Sequence, residues 1–377
     1  MADNGRRLGI KELLVRTAIH LLLAGLVAAS AGCANRNDAS REPSLGLSHE
    51  RAVDSIEAAK YLRSATDAEL VTTRTPWRFG EYDGQVISTP NYRVYTTIQN
   101  ERILERLPLF YERALDHYTK AIIRLPKPTM PLETFLFQTR TQWQAKTTEM
   151  LPDQARMFSN LGRGGFTTKG TSVLYYIDRY GYTRDTFAIA AHEGWHQYTQ
   201  QVFKQQLPIW LEEGVATYME GYRTNRDGAP EFMPAENRER RDALREAVRN
   251  GELISLDDLL TRTPQSFLNN SKESLLTYYS QAWALTRFLA EGESGRYRDA
   301  LSTVLIDAAD GRLIGRMMAS TTTASARRYG GAANRVGPAV VQEYFNRDMV
   351  EFEQQYLAFI NHLVQRPPEP PRDGRER

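Results

Sequence analysis

Residues 192–196 place two histidines and a glutamate at a spacing that suits chemistry. They read His192-Glu193-Gly194-Trp195-His196, the HExxH pattern. On a helix, positions i and i+4 share one face, so the two imidazoles can bind one tetrahedral cation. Glu193 would then lie beside a water molecule at the cation and could accept its proton. The pattern therefore predicts a metal site with a catalytic carboxylate.

The residues before this segment favour a helix. Asp185 or Thr186 can cap its first turn, and Phe187 and Ile189 belong to an apolar approach that continues into the motif. The alternative interpretation is a pair of hydrogen-bonded histidines on an ordinary amphipathic helix. A second segment, downstream of the motif, favours the metal site over this alternative.

Residues 207–218 read L-P-I-W-L-E-E-G-V-A-T-Y. Here the sequence resembles the gluzincins, zinc peptidases whose third metal ligand is a glutamate on a second helix in a W-L-x-E-G context. The resemblance implies that Glu213, which directly precedes Gly214, is the third ligand beside His192 and His196.

Residues 278–289 form a third segment, Y-Y-S-Q-A-W-A-L-T-R-F-L. It resembles the Tyr-x-Gln-x-Trp-Ala-Leu helix of peptidase MA-like domains, including the bacterial domain-of-unknown-function 1570 group. The resemblance implies that Tyr279 donates a hydrogen bond to the substrate oxyanion. A packing role for Tyr279 stays open, because a tyrosine on an apolar helix usually packs, and Tyr278 is an adjacent candidate.

The resemblance follows the order of elements from about residue 92 to 365 but is specific only at these three segments. It implies an α+β fold: a thermolysin-like zincin catalytic domain with a small N-terminal α/β lobe and a mostly helical C-terminal part. It also implies one Zn²⁺ as cofactor, Glu193 as general base, and a peptide or protein as substrate. The expected function is that of a zinc-dependent metallopeptidase.

The residues ahead of the motif favour an endopeptidase over an aminopeptidase. Aminopeptidases of this clan recognise the free amine of the substrate with a Gly-x-Met-Glu-Asn strand, whereas residues 162–166 here read G-R-G-G-F. Two other functions stay open: a non-catalytic zinc-binding scaffold or binding module of the cell envelope, and an amide hydrolase acting on a non-peptide envelope substrate. Glu193 argues against the scaffold, because purely structural zinc needs no general base.

Several neighbours of the motif residues are expected to have other roles. Thr217, one turn after Glu213, could accept the outer N–H of a ligand histidine. Glu212 is expected to be solvated, and Glu220, two turns after Glu213, is given no task. The tryptophans near the motifs are expected to pack in the core or line a pocket wall: Trp195, Trp210 and Trp283.

Composition excludes several classes of protein. The chain has 377 residues, 48 Lys plus Arg, 46 Asp plus Glu, and one cysteine. The net charge of +2 provides no strong basic field, so nucleic acid is not expected as a partner. A single cysteine cannot form an internal disulfide, which leaves histidine and carboxylate side chains to build any metal site.

The N-terminus has the pattern of an export signal. An uncharged, apolar run at residues 18–31 follows four basic residues, Arg6, Arg7, Lys11 and Arg16. The run is too short for a membrane span, so residues 1–32 are predicted to be a signal peptide. Cys33 follows Ala31 and Gly32 as in a bacterial lipobox, which predicts a lipid anchor in the cell envelope. Ordinary cleavage, giving a periplasmic or secreted protein, is the alternative, and both the Sec and twin-arginine routes stay open.

The remaining pattern divides the chain into four regions. Residues 33–90 are expected to be a tether and lead-in with one possible helix at 48–62, and 366–377 a disordered tail. Residues 91–221 are assigned to the α/β zincin lobe and 222–365 to a helical subdomain.

Within these regions, alternation predicts strands at residues 92–98 and 134–138. Helical spacing of apolar residues runs from Ile103 to Ile122, with Pro108 at a kink or a start. In the C-terminal part, helices are expected at 238–248, 256–260, 275–290 and 343–364, with a loop at 320–337.

Overall fold

The computed structural model describes residues 20–21, 70, 72–155, 164–177, 184–225, 228–268, 272–320 and 336–365. The predicted helix at 48–62, most of the predicted loop at 320–337 and the predicted tail at 366–377 lie outside these residues. The described part is a mixed α/β structure in which helices cover both faces of one sheet.

Six strands form this sheet in the order β5-β6-β4-β3-β2-β1. Their bounds are β1 Thr73–Phe79, β2 Tyr82–Ser88, β3 Tyr92–Thr96, β4 Leu132–Phe137, β5 Gly165–Thr168 and β6 Thr171–Tyr175. The central strands β3, β4 and β6 run parallel, whereas β1, β2 and β5 are antiparallel to their neighbours. A two-residue extended segment, His20–Leu21, pairs antiparallel with β5.

The sheet begins earlier than the sequence indicated. Strands β1 and β2 form a hairpin inside residues 33–90, which were expected to be a tether and lead-in. Proline and glycine in this stretch favoured a loop, but each occupies a position that a hairpin tolerates. Gly80 has a φ of 58° at the turn, and Pro76 lies in the edge strand β1, where a missing N–H costs little.

Four helices complete the first half of the fold. They are α1 Leu107–Tyr118, α2 Arg140–Met150, α3 Arg184–Val202 and α4 Ile209–Met219. A short helix, Glu101–Leu104, precedes α1, and Pro108 lies in the first turn of α1, which confirms it as a helix start. Helix α2 begins with a capping box in which Thr139 and Gln142 bond to each other's backbone N–H groups.

The two faces of the sheet are covered by different helices. On one face, the rings of Tyr92 on β3 and Tyr111 on α1 are 5.0 Å apart, and Thr134 on β4 donates to Gln197 on α3. On the other face, the indole of Trp143 on α2 donates to a β6 carbonyl. Helix α3 therefore lies directly on the sheet, with its Glu193 turned toward β5.

In the described residues of the C-terminal half, the structure is helical apart from one small hairpin, β7 Tyr222–Thr224 and β8 Pro230–Phe232, which the sequence pattern did not predict. Its main helices are α5 Arg238–Asn250, α6 Leu256–Thr261, α7 Lys272–Glu291, α8 Arg298–Asp310, α9 Leu313–Ser320 and α10 Met349–Gln365. Shorter turns lie at Pro234–Glu236, Gln265–Leu268, Gly292–Gly295 and Gly337–Val340.

The last helix begins later than the sequence pattern predicted. A π-helical turn, Val341–Phe345, ends at Asn346, whose backbone is extended with φ −151° and ψ 127°. Helix α10 therefore starts at Met349 rather than near residue 343. The predicted helices at 238–248, 256–260 and 275–290 are confirmed as α5, α6 and α7, each slightly longer than expected.

Helix α7 lies at the centre of the C-terminal half, where it packs along α4 and α5 and also contacts α8 and α10. It carries Tyr278 and Tyr279 into the interior, where both side chains are fully buried. In the part of the chain that the structure describes, no helix has the length and apolar character needed to cross a membrane.

Candidate metal centre

Helix α3 presents the two histidines of the HExxH segment on one buried face. The rings of His192 and His196 are 4.8 Å apart and inclined by 73°. Both side chains are at most 1% exposed. Between them, Gly194 allows the hydroxyl of Tyr118 to reach the helix and donate to a carbonyl, because a Cβ at Gly194 would lie 2.4 Å from that hydroxyl. The glycine therefore serves the close packing of α1 against α3.

Helix α4 brings Glu213 to the same place. Its Oε2 lies 3.3 Å from Nε2 of His192 and 3.6 Å from Nε2 of His196. The potential ligand atoms of these three residues all lie within 4.8 Å of one another, so the group could hold a metal ion. Two imidazole nitrogens and one carboxylate oxygen are a donor set that suits Zn²⁺ with an open fourth position. The residues present therefore fit the metal that the sequence implied.

The outer nitrogens of both histidines meet carboxylates. Nδ1 of His192 lies 2.6 Å from Oε1 of Glu220, and Nδ1 of His196 lies 3.0 Å from Oε1 of Glu212. An Nδ1–H that donates to a carboxylate leaves the lone pair of Nε2 directed inward. Both expectations from the sequence are corrected here: Glu212 is 5% exposed rather than solvated, and Glu220 has a defined partner.

Glu220 belongs to a larger buried network that the sequence pattern did not predict. Arg240 on α5 donates to both of its oxygens, from Nη2 to Oε1 at 2.9 Å and from Nε to Oε2 at 3.0 Å. Asn237, which caps α5, donates to Oε2 at 2.7 Å. Burial alone would raise the pKa of Glu220, but Arg240 and His192 outweigh it and lower that pKa to about 2. Glu220 is therefore a fixed anion beside His192.

The carboxylates around the two histidines also raise the pKa values of both imidazoles. Burial alone would lower the pKa of His196, yet the charges of Glu213 and Glu212 raise it to about 10. The pKa of His192 is raised as well, because the bonds to Glu213 and Glu220 outweigh its burial. Such a concentration of anions around two imidazoles attracts positive charge, whether protons or a metal cation.

Glu193 is oriented by the edge strand β5. The hydroxyl of Thr167 lies 2.7 Å from Oε2 of Glu193, and Ser172 on β6 lies 3.0 Å from the same hydroxyl. Within the described residues, Oε1 of Glu193 has no hydrogen-bond partner, although the side chain is fully buried. Burial raises its pKa, which suits a group that accepts and returns a proton. No sequence signal singled out Thr167.

Tyr279 approaches the metal centre from α7. Its ring lies 6.1 Å from the ring of His192, and the guanidinium carbon of Arg240 lies 5.2 Å from its ring centroid. Burial, together with the charge of Glu213, raises its pKa well above 10, so the phenol stays protonated and can donate a hydrogen bond. Tyr278 is also buried, and its ring packs on Phe267 at 5.3 Å.

Thr217 does not have the predicted role. Its hydroxyl lies 2.9 Å from the carbonyl of Glu213 and 2.9 Å from that of Gly214, so it bonds to its own helix. A threonine inside a helix often donates to the carbonyl one turn before it, and this local bond keeps the side chain from His192. The carboxylate of Glu220 takes the place expected for Thr217. The three tryptophans near the motifs are fully buried, as expected: Trp195, Trp210 and Trp283.

Comparison with known families covers the part of the chain that carries these residues. The family model described as "Protein of unknown function (DUF1570)" matches residues 186–309. This match spans about a third of the chain and supports the resemblance to the domain-of-unknown-function 1570 group. It contains every residue assigned to the metal centre from His192 to Tyr279, and its description names no activity. No curated protein and no solved structure shows a significant match to the chain.

Proposed function

We propose that this protein is a zinc-dependent metallopeptidase of thermolysin-like fold that hydrolyses peptide bonds. The main support for the proposal is that the potential ligand atoms of His192, His196 and Glu213 lie within 4.8 Å of one another. Glu193 lies on the same helix as the two histidines. These three residues would hold one Zn²⁺. A bound zinc ion supplies Lewis acidity, which polarises a substrate carbonyl and makes water acidic enough to lose a proton near neutral pH.

Glu193 is assigned the proton transfers. Thr167 holds its Oε2, and Oε1, which has no hydrogen-bond partner among the described residues, is available to an attacking water. The carboxylate accepts a proton as the water attacks and returns it to the leaving amine, so that the group is regenerated after each turnover. Tyr279 donates a hydrogen bond where the carbonyl oxygen gains negative charge. Its raised pKa keeps the hydroxyl protonated for this purpose.

We favour an endopeptidase over an aminopeptidase. Strand β5, Gly165–Thr168, contains no acidic residue that could bind a substrate's free amine. The pattern of residues 6–33 supports export, with a lipid on Cys33 as the membrane anchor. The chain would then act on peptides or proteins in the bacterial cell envelope.

The first test is metal content, measured by elemental mass spectrometry on the purified protein. Wild type should carry about one zinc per chain, and His196→Ala should carry none, because two ligands do not retain the ion. His362→Ala changes an exposed histidine on α10 and should keep the zinc of the wild type. Absence of zinc from folded, zinc-supplemented wild type would overturn the proposal.

The second test is cleavage of a peptide library by wild type and Glu193→Gln. The variant should bind zinc with wild-type stoichiometry but lose activity by at least about 10²-fold, because it cannot accept the proton. Cleavage by wild type alone supports the peptidase. Equal behaviour of the two proteins in every assay would support the non-catalytic scaffold instead.

A further inference from the structure

Arg240 is a buried cation that none of the motifs includes. It lies on α5, is 2% exposed, and contacts Glu220 through two parallel hydrogen bonds. Its guanidinium carbon also lies 5.2 Å from the centroid of the Tyr279 ring. The same guanidinium group thus pairs with a carboxylate through two N–H groups and lies over an aromatic ring, as guanidinium groups do.

Glu220 connects Arg240 to a metal ligand. One of its oxygens, Oε1, lies 2.6 Å from Nδ1 of His192 and 2.9 Å from Nη2 of Arg240. Orientation of this carboxylate therefore sets the orientation of the imidazole. A carboxylate buried this deeply would be costly without a paired cation, and a half-broken pair would let Glu220 rotate away from His192.

The charge around the centre gives a second reason for a cation here. Four buried carboxylates surround the two histidines: Glu193, Glu212, Glu213 and Glu220. Glu213 is shared between both histidines, whereas Glu220 is compensated by Arg240. Neutralising Glu220 in this way leaves the net negative charge on Glu193, Glu212 and Glu213, around the position where a metal cation would bind.

We propose that Arg240 is a positioning residue for the metal centre, which acts on His192 through Glu220 and on Tyr279 through its ring face. The inference rests on the proposed function, since it concerns the same metal. It joins two parts of the chemistry that come from different helices: the ligand on α3 and the hydrogen-bond donor on α7. Lysine cannot replace Arg240, because an ammonium group cannot contact both oxygens and the ring in this geometry.

The test measures zinc affinity by competition with a chelator, together with the visible spectrum of the cobalt-substituted, full-length protein. Arg240→Met keeps the aliphatic stem and removes the charge. We expect its dissociation constant for zinc to rise about 10- to 100-fold, the usual cost of losing an outer partner of a ligand. The cobalt bands should shift, because the ligand field reports the orientation of His192. Arg240→Lys should weaken zinc binding by a smaller factor.

Arg287→Met is the matched control. Arg287 is also a buried arginine that pairs with a glutamate, Glu291, and lies over an aromatic ring, that of Trp283, at 5.2 Å. Removing its charge should lower the melting temperature but leave zinc affinity and the cobalt spectrum within twofold of wild type. A merely structural role for Arg240 predicts the same pattern for Arg240→Met, so the two variants separate positioning from stability.

A variant that removes both charges covers the case in which Arg240→Met does not fold. Glu220→Gln combined with Arg240→Met removes both charges of this ion pair, so neither is left without the other, and its zinc affinity should still be about 10-fold or more below wild type. Wild-type affinity and an unchanged cobalt spectrum in any folded Arg240 variant would overturn the inference. Failure of the wild type itself to bind zinc would instead overturn the proposed function, so the two failures are distinguishable.

Discussion

At the residue scale, each ligand histidine divides its two nitrogens between two tasks. Nδ1 of His192 and of His196 faces a carboxylate, and Nε2 of each faces Glu213. The outer contacts select the tautomer and stop the rings from rotating. The three side chains are thus already held in a geometry that could bind a cation, which would reduce the cost of assembling such a site. This preorganisation comes from side chains on α4 and from the residue that follows it.

His117, a histidine outside the candidate metal centre, is expected to make the stability of the fold depend on pH. His117 on α1 is half-buried, and its ring stacks on Phe232 of β8, with the ring centroids 5.2 Å apart. Burial lowers its pKa to about 4, although Asp116 opposes the change. The unfolded chain, with an ordinary pKa of about 6.5, binds a proton between pH 6.5 and 4 that the folded chain does not. Folding stability must therefore fall as the pH drops through this window.

Urea unfolding at pH 7 and pH 4.5 measures this effect. Between pH 7 and pH 4.5, the free energy of unfolding should fall by about 2.5 kcal/mol more in wild type than in His117→Gln, because the variant has no imidazole to protonate. His362→Gln, at an exposed position on α10, should retain the wild-type pH dependence. An equal loss of stability in wild type and His117→Gln would contradict the prediction.

The sequence predicted which residues meet at the centre better than it predicted their partners. His192, His196 and Glu193 follow from helical periodicity, and Glu213 follows from the resemblance. Glu212 was misjudged because adjacent helical residues point about 100° apart, so a neighbour of Glu213 was assumed to face solvent. The structure turns it toward His196 instead.

The partner of Glu220 could not have been predicted from spacing. Arg240 lies 20 residues further along, beyond the β7–β8 hairpin, and only the fold of that hairpin returns α5 to the end of α4. Long helices with a clear apolar period were predicted correctly for the opposite reason, since their signal is local. Strands β1 and β2 carry little periodic apolar signal, and Pro76 in β1 and Gly80 in the turn favoured a loop, so both strands were missed.

At the element scale, the contact of α4 with α7 fixes where Glu213 lies. The two helices approach closely at Gly214, where an added Cβ would lie 2.4 Å from Oγ1 of Thr286 and 2.8 Å from the carbonyl oxygen of Ala282. The second of these atoms is backbone and cannot rotate away. A larger residue must therefore push α4 from α7 and carry Glu213 with it.

Gly214→Ala tests this contact. We expect it to lower the free energy of unfolding by about 1–3 kcal/mol, the cost of overpacking, and to weaken zinc binding because Glu213 shifts. Gly315→Ala is the matched control, since Gly315 lies in helix α9 with nothing within 4 Å of its added Cβ. It should stabilise the protein by about 0.5–1 kcal/mol through helix propensity. Denaturant unfolding of both variants measures the difference, and effects of the same sign would refute the close approach.

At the scale of the whole molecule, the metal centre lies where the sheet layer meets the helical layer. Helix α3 is fastened to the sheet, because Gln197 donates to the carbonyl of Gly170 in the β5–β6 turn and Thr167 holds Glu193. The C-terminal helices contribute Arg240 and Tyr279. The family match at 186–309 covers these helices but none of the strands β1–β6, of which β5 and β6 pack against α3. The candidate site therefore includes residues on both sides of residue 221, the predicted boundary between the α/β lobe and the helical subdomain.

This arrangement predicts that zinc stabilises the entire fold. The three residues that could bind an ion come from two helices, α3 and α4, so a bound ion would cross-link the helix on the sheet to the helical layer. An ion that binds the folded chain and not the unfolded one adds RT ln(1 + [Zn]/Kd) to stability, about 2.7 kcal/mol at 100 times the dissociation constant. For a chain of this size the melting temperature should rise by several degrees.

Calorimetry with and without zinc, at fixed protein concentration, measures this rise. Glu193→Gln retains all three ligands and should show the full increase, whereas His196→Ala should show none, although both change one buried polar residue of α3. The increase should grow with the logarithm of the zinc concentration, because the linkage is logarithmic above saturation. An increase of the same size in His196→Ala would mean that zinc binds elsewhere, and the link between α3 and α4 would then not come from the metal.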